Sequence, residues 1–198
     1  MPVFESLHLN PNSTDTEFDS IYPLKFRRLA ENHFTPIEVA RIAAEFLVTK
    51  AGVKVLDIGS GAGKFCMIGT ALTTGHFTGV EQRAELVELS KRLAIKLGLA
   101  NVEFINANVT AIDFSEYDAF YLYNSFQENI DNNNRIDNAI LLNPTLYNAY
   151  TTHTLAQLAA LPSGTRLVTY YTTTNIIPQT FTQIDSQFEG HLTLWQKR

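Results

Sequence analysis

A short apolar run that ends on a carboxylate and then breaks into closely spaced glycines constrains this chain more than any other feature. Val53-Lys54-Val55-Leu56-Asp57-Ile58 reads as a buried strand, Gly59-Ser60-Gly61-Ala62-Gly63 follows, and a helix is expected from about Lys64. With no Cβ, Gly59 and Gly61 permit a sharp turn and the close approach of a ligand to the backbone. A second strand and helix follow. Phe77 to Glu81 is a second strand ending on an acid, and Ala84 to Leu97 carries Leu86, Leu89, Leu93 and Leu97 on one helical face, stopped by Gly98. Val102 to Ile105 and Ala119 to Tyr123 read as strands three and four, Leu146 to Leu161 as a helix, and Arg166 to Tyr171 as strand five. Two alternating runs, Gln183 to Phe188 and His191 to Trp195, are parted by Glu189-Gly190 and read as a closing hairpin.

Strand–helix alternation of this kind demands right-handed crossovers. It predicts an α/β fold: a Rossmann-like, doubly wound, mostly parallel sheet with an antiparallel C-terminal hairpin. Ligands in such sheets lie outside the carboxyl ends of the strands. Those ends carry Asp57, Glu81, Asn108 and Asn124, all polar. Upstream, residues 1–20 are polar and turn-rich and are expected to form an N-terminal arm, leaving 21–198 as a single domain. Thr35-Pro36 is expected to open a helix, with Thr35 as the cap, Pro36 in the first turn, and Ile37, Ala40, Ala44 and Leu47 on its apolar face. Residues 129–143, rich in Asn and acid, read as a surface insertion.

Three loop chemistries compete for residues 59–64. A nucleotide-phosphate loop needs glycine where Ile58 stands and a hydroxyl residue where Phe65 stands, so it fails twice. The dinucleotide fingerprint needs a third glycine at Lys64, which disfavours a nicotinamide oxidoreductase. The acid beside the turn would repel a pyrophosphate but attract a cationic amino group or a sulfonium. Glu81, some 20 residues beyond Gly61, is placed to accept both hydroxyls of a ribose.

Here the chain resembles the class I S-adenosylmethionine-dependent methyltransferases. Val55-Leu56-Asp57-Ile58-Gly59-Ser60-Gly61-Ala62-Gly63 looks like their first motif and Gly79-Val80-Glu81 like the acidic second. Phe104-Ile105-Asn106-Ala107-Asn108 is similar to the third, with Asn108 where the family usually has Asp. Asn124-Ser125-Phe126 resembles the Asn-Pro-Pro-aromatic motif of amine-directed members, without its prolines. The resemblance implies S-adenosylmethionine as cofactor, with Phe34, Thr35, Asp57, Gly59, Ser60, Gly61, Glu81, Gln82, Asn108, Val109 and Asn124 around it, and Asn124 and Phe126 at the reacting end. Phe34-Thr35-Pro36 looks like a segment that closes over the cofactor in several nucleic-acid adenine methyltransferases. The strings around Asp57, Glu81 and Asn124 also resemble the non-SET histone-lysine methyltransferases.

Composition bears on the acceptor. The formal net charge is −5, from 20 acidic and 15 basic side chains, whereas nucleic-acid sites need several phosphate-neutralising cations. A protein or small-molecule amine is therefore expected over a nucleic acid, although Lys25, Arg27 and Arg28 form a local basic group. The alternatives are a nucleic-acid base as acceptor, or a non-catalytic module that binds a nucleoside-containing ligand. One cysteine, Cys66, excludes an intrachain disulfide framework and Cys-rich zinc patterns. The five histidines show no i, i+3 or i, i+4 pairing, so no metal site is expected. The first residues lack the features of a signal peptide and no apolar run approaches about 18 residues, so a cytoplasmic protein with no membrane span is expected.

Overall fold

The computed structural model describes residues 13–131 and 135–198. Its centre is a seven-stranded sheet in the order β3-β2-β1-β4-β5-β7-β6, comprising β1 (Lys54–Ile58), β2 (His76–Glu81), β3 (Val102–Asn106), β4 (Ala119–Tyr123), β5 (Arg166–Tyr170), β6 (Phe181–Gln187) and β7 (Leu192–Lys197). The first five pair in parallel, and β7 lies antiparallel between β5 and β6. The chain winds outward from β1 to β3, then returns to lay β4 against the other side of β1. The crevice at that reversal is where such sheets hold ligands.

Helices α1 (Asp15–Asp19), α2 (Leu24–Arg27), α3 (Ala30–His33) and α4 (Ile37–Leu47) precede β1, and α5 (Lys64–Leu72), α6 (Ala84–Lys96) and α7 (Pro144–Ala160) connect the strands. Strand residues alternate between two apolar layers. Val55, Phe77, Phe104, Tyr121 and Val168 pack under α4, α5 and α6, whereas Leu56, Ile58, Val80, Phe120 and Leu122 pack under α7. The leucine face of α6 is buried as its spacing predicts, and Gly98 ends it at φ +68°.

Three expectations are corrected. The described part of the N-terminal segment, residues 13–20, is not an arm: Thr14 and Glu17 form a capping box on α1 and Phe18 is buried beside Tyr22. Residues 1–12 of that expected arm lie outside the described residues. Nor does Thr35 cap α4. Pro36 takes the cap position with extended ψ, the free Ile37 N–H donates to Asp15 Oδ1 at 2.9 Å, and the Thr35 hydroxyl shares a 3.0 Å hydrogen bond with Tyr121 Oη. A carboxylate from α1 thus supplies what a local hydroxyl was expected to supply, and it ties the N-terminal segment to the domain. The third correction concerns the Asn-rich stretch, which is partly built in. Asn129 is buried with its side chain on the Phe126 carbonyl, and Asn143 caps α7 by accepting from Leu146 N–H at 3.0 Å. Asparagine serves turns and caps as readily as solvent.

Candidate functional site

Gly63 caps α5 at φ +77°, and Gly59 and Gly61 also have positive φ, so the turn after β1 adopts backbone angles that only glycine takes without strain. The two outer glycines are packed. A Cβ on Gly59 would meet Ser125 Cβ at 2.8 Å, and one on Gly63 would meet the Phe104 ring at 2.6 Å. A Cβ on Gly61 would meet nothing within 4 Å, so the middle of the turn faces open space. Behind it, Gly61 N–H donates to Glu81 Oε2 at 3.2 Å and Arg83 N–H to Glu81 Oε1 at 2.8 Å. Each carboxylate oxygen keeps a second lone pair for a ligand hydroxyl.

The cleft above this turn encloses about 970 Å³ of empty space, open solvent included. Among the expected residues, Gly59, Gly61, Glu81, Gln82, Asn108, Val109, Asn124 and Phe126 line it. Phe34, Thr35, Asp57 and Ser60 line instead a small adjoining cavity, which shares His33, Gly59 and Tyr123 with the cleft. Asn108 does two things: its Oδ1 accepts from Thr110 N–H at 3.0 Å, a local turn, and its Nδ2 donates to Tyr150 Oη at 2.7 Å. Phe126 is buried against Tyr150 with ring centroids 5.8 Å apart. Asn124 follows β4 in the left-handed region at φ +46°, its N–H held by Thr172 Oγ1 at 3.0 Å.

Two neighbouring acids, Asp57 and Glu81, are held with raised carboxyls. Burial pushes the Asp57 carboxyl up to about 7; the Cys66 thiol, which donates to Asp57 Oδ2 at 3.3 Å, opposes this and the charge of Glu81 adds to it. Burial also raises Glu81, against the pull of the Arg83 backbone and guanidinium. A site that raises two acids side by side favours a cation between them. The Ser60 hydroxyl is buried with no hydrogen-bond partner among the described residues. An open-fronted glycine turn, an orphaned buried hydroxyl and paired acids fit a nucleoside-bearing cation such as S-adenosylmethionine.

Sequence reasoning missed Arg83. This buried guanidinium lies 3.7 Å from Glu81 Oε1, 2.6 Å from Glu128 Oε2 and 3.0 Å from Asp137 Oδ1. Glu128, just before the Asn-rich stretch, and Asp137, within it, are therefore both engaged by Arg83. No spacing rule links residues 83, 128 and 137, so only the fold could reveal the cluster. Among the described residues, no group of three or more His, Cys, Asp or Glu is arranged to hold a metal ion, and no helix is long and apolar enough to cross a membrane.

Comparison with known proteins agrees with this geometry. A family model described as a methyltransferase domain matches residues 49–183, more than half of the chain. A protein-L-isoaspartate O-methyltransferase from Methanococcus maripaludis is 31% identical over 90 residues, which is 43% of this chain and 42% of that protein, so the chain aligns with less than half of that relative's length. Among solved structures, an RNA methyltransferase from Salinibacter ruber in complex with S-adenosyl-L-homocysteine superposes with a TM-score of 0.58 at 21% identity, covering 82% of this chain and 92% of that one. TrmN from Thermus thermophilus gives a TM-score of 0.61 at 17% identity over 87% of this chain and 52% of its own, a likeness of fold. With a matched domain, a seven-stranded sheet of this order and a cleft of this chemistry, the chain belongs to the class I S-adenosylmethionine-dependent methyltransferase family.

Proposed function

We propose that this chain transfers the methyl group of S-adenosylmethionine to an amine nitrogen on a protein or small molecule. In this reading Glu81 accepts the ribose hydroxyls, Asn108 and Val109 meet the adenine, and Gly59, Ser60, Gly61 and Asp57 surround the cationic amino-acid end. Gln82 borders the ribose, and Phe34 and Thr35 close the far side. Bound there, the cofactor supplies a methyl already activated by its sulfonium: the acceptor lone pair forms the new bond, the C–S electron pair returns to sulfur, and the acceptor proton leaves to water. The protein then has mainly to align the reactants.

The observation that carries the reading is the position of Asn124. It ends β4 beside the glycine turn, its backbone is held in the left-handed region, and it lines both the cofactor cleft and a neighbouring cavity. An uncharged amide there can accept a hydrogen bond from an amine and direct its lone pair, with Phe126 and Tyr123 flanking. The basic group that would favour a nucleic acid is largely engaged: Lys25 pairs with Glu85 at 2.7 Å, and Arg27 donates to the Ser20 and Tyr22 carbonyls at 2.9 and 3.1 Å. A carboxylate acceptor, as the isoaspartate relative's name implies for that protein, would have to approach a mouth carrying Asp15, Asp19 and Glu31.

Calorimetric titration with S-adenosylhomocysteine and, separately, NAD tests the cleft. Binding of the first alone is expected. Loss of two hydrogen bonds to a carboxylate costs about 1.5–3 kcal/mol, so Glu81→Ala should weaken S-adenosylhomocysteine at least about tenfold. Undiminished affinity in a folded Glu81→Ala protein would remove Glu81 from the site.

A further inference from the structure

Beside the cofactor cleft lies a second, wider cavity that encloses about 1480 Å³ of empty space, open solvent included. It shares Asn32, Tyr123 and Asn124 with the cleft, so the two chambers meet at the carboxyl end of β4. We propose that this cavity is the acceptor chamber and that it takes a flexible alkyl ammonium, the group carried by a lysine side chain or a polyamine, which gives up a proton to water before its nitrogen lone pair attacks the methyl; this rests on the methyltransferase reading above.

Its inner wall is aromatic. Tyr123 and Tyr170 have ring centroids 4.8 Å apart, Tyr170 and Tyr171 4.7 Å, and Tyr123 and Tyr171 6.4 Å. Tyr123 is oriented by donating from Oη to the Asn32 carbonyl at 3.2 Å. Burial, with the neighbouring phenols adding, pushes the Tyr123 hydroxyl up to about 12, so the ring stays neutral at physiological pH. Three tyrosines in one cluster present the electron-rich faces that attract ammonium groups.

Tyr171 adds an independent sign. It has φ +47°, is 47% exposed and stacks on His191 at 4.0 Å. Holding a bulky residue in the left-handed region costs conformational energy, and a half-exposed ring recovers little of it through burial. Asn124, at the end of the adjacent strand, is held in the same region at φ +46°. Two residues in the left-handed region, just past the ends of β4 and β5, thus line one cavity.

The ionic lining selects for charge. Asp15 and Asp19 share one buried cation, Lys64, whose Nζ lies 2.6 and 2.7 Å from them, so one of their two negative charges is left over. The guanidinium of Arg27 is turned onto backbone carbonyls. Glu31, exposed at the rim, has no ion-pair or hydrogen-bond partner for its carboxylate among the described residues. The unmatched charge is therefore negative, and both lining cations are engaged by the protein. An ammonium is complementary to that arrangement, and a phosphate backbone is not.

The 198-residue chain, with and without saturating S-adenosylhomocysteine, is titrated calorimetrically with Nα-acetyl-lysine methylamide, with spermidine and with mixed-sequence single-stranded RNA. One of the two amines should bind, the first identifying a peptide source and the second a free polyamine. Tyr171→Gly, which suits positive φ and so protects the fold, and Glu31→Gln should each weaken the amine at least tenfold, with S-adenosylhomocysteine affinity within twofold of the parent. Tyr171→Phe should keep binding. If S-adenosylhomocysteine itself fails to bind, the cleft reading falls and this one with it. If it binds while neither amine does, or if amine binding ignores both substitutions, or if RNA displaces the amine, the chamber proposal alone is overturned.

Discussion

The two halves of the sheet's carboxyl edge are built by opposite means. Over β1 and β2 the site is backbone and buried charge: a glycine turn with positive φ, Glu81 held by two N–H groups, and Asp57 shielded beside Cys66. Over β4 and β5 it is side-chain surface: three tyrosines, two residues in the left-handed region and carboxylates brought from the N-terminal helices. A backbone cradle suits a constant ligand, since its donors do not move when side chains change. A wall of rings and charges from distant segments is easily altered without touching the cradle, and that suits the part of a site that chooses a substrate.

If the halves are separable, the sharpest damage to one should spare the other. Gly61→Val places a branched side chain in the open front of the turn, where nothing of the protein stands within 4 Å. Affinity for S-adenosylhomocysteine should fall at least about 100-fold, beyond what one lost hydrogen bond explains. Calorimetry on a variant that still melts cooperatively reads this, and amine binding at the tyrosines should persist. Gly63→Val, which would drive Cβ into the Phe104 ring, should instead abolish the cooperative melt. Equal loss of the melt in both variants would show that the positive φ the two positions share outweighs their difference in packing.

Arg83 is where the halves touch, since it reaches from the Glu81 side to Glu128 and Asp137 beyond β4. Removing a buried ion-pair partner leaves its acids uncompensated, which costs about 3–5 kcal/mol. Arg83→Met should therefore lower the melting temperature and weaken S-adenosylhomocysteine about tenfold, because Glu81 would then hold a proton more tightly. Hydrogen exchange should quicken in residues 127–131 and 135–139. Unchanged exchange there would mean that the loop is held without Arg83.

What the sequence disclosed follows the same division. The Asp57–Gly63 turn and Glu81 were legible because each element of the cradle lies within one βαβ unit, where spacing dictates geometry. Leu86, Leu89 and Leu93 were legible because helical period is local. Tyr171 read as an ordinary strand residue, since nothing in the sequence marks its positive φ, and Asp15 read as part of an arm. Its role as the carboxylate that receives Ile37 N–H and Lys64 depends on contacts across 22 and 49 residues. Glu128 was legible as an acid near β4 but not as a partner of Arg83, because ion pairs between separate loops leave no periodic trace.

The smallest expected effect separates the halves by charge state. Asp57 has its carboxyl raised by burial to about 7, whereas its unfolded value is the ordinary 3.8. Between those values the folded state binds more protons than the unfolded one, so this group makes stability decline as pH rises from about 4 to 7 and level off above. A ligand ammonium beside Asp57 favours the ionised carboxylate, so binding must expel the proton wherever it is present. From a value near 7, the ionised fraction grows about threefold between pH 6.5 and pH 7.5, and S-adenosylhomocysteine affinity should rise by about that factor. The heat of binding at pH 6.5 should also vary with the ionisation enthalpy of the buffer, reporting the released proton, and Asp57→Asn should abolish both effects. Spermidine or the lysine amide, bound on the tyrosine side, should release no such proton at pH 6.5. A buffer-dependent heat for the amine that vanishes in Asp57→Asn would mean that the two chambers share one charge and that the division between them is wrong.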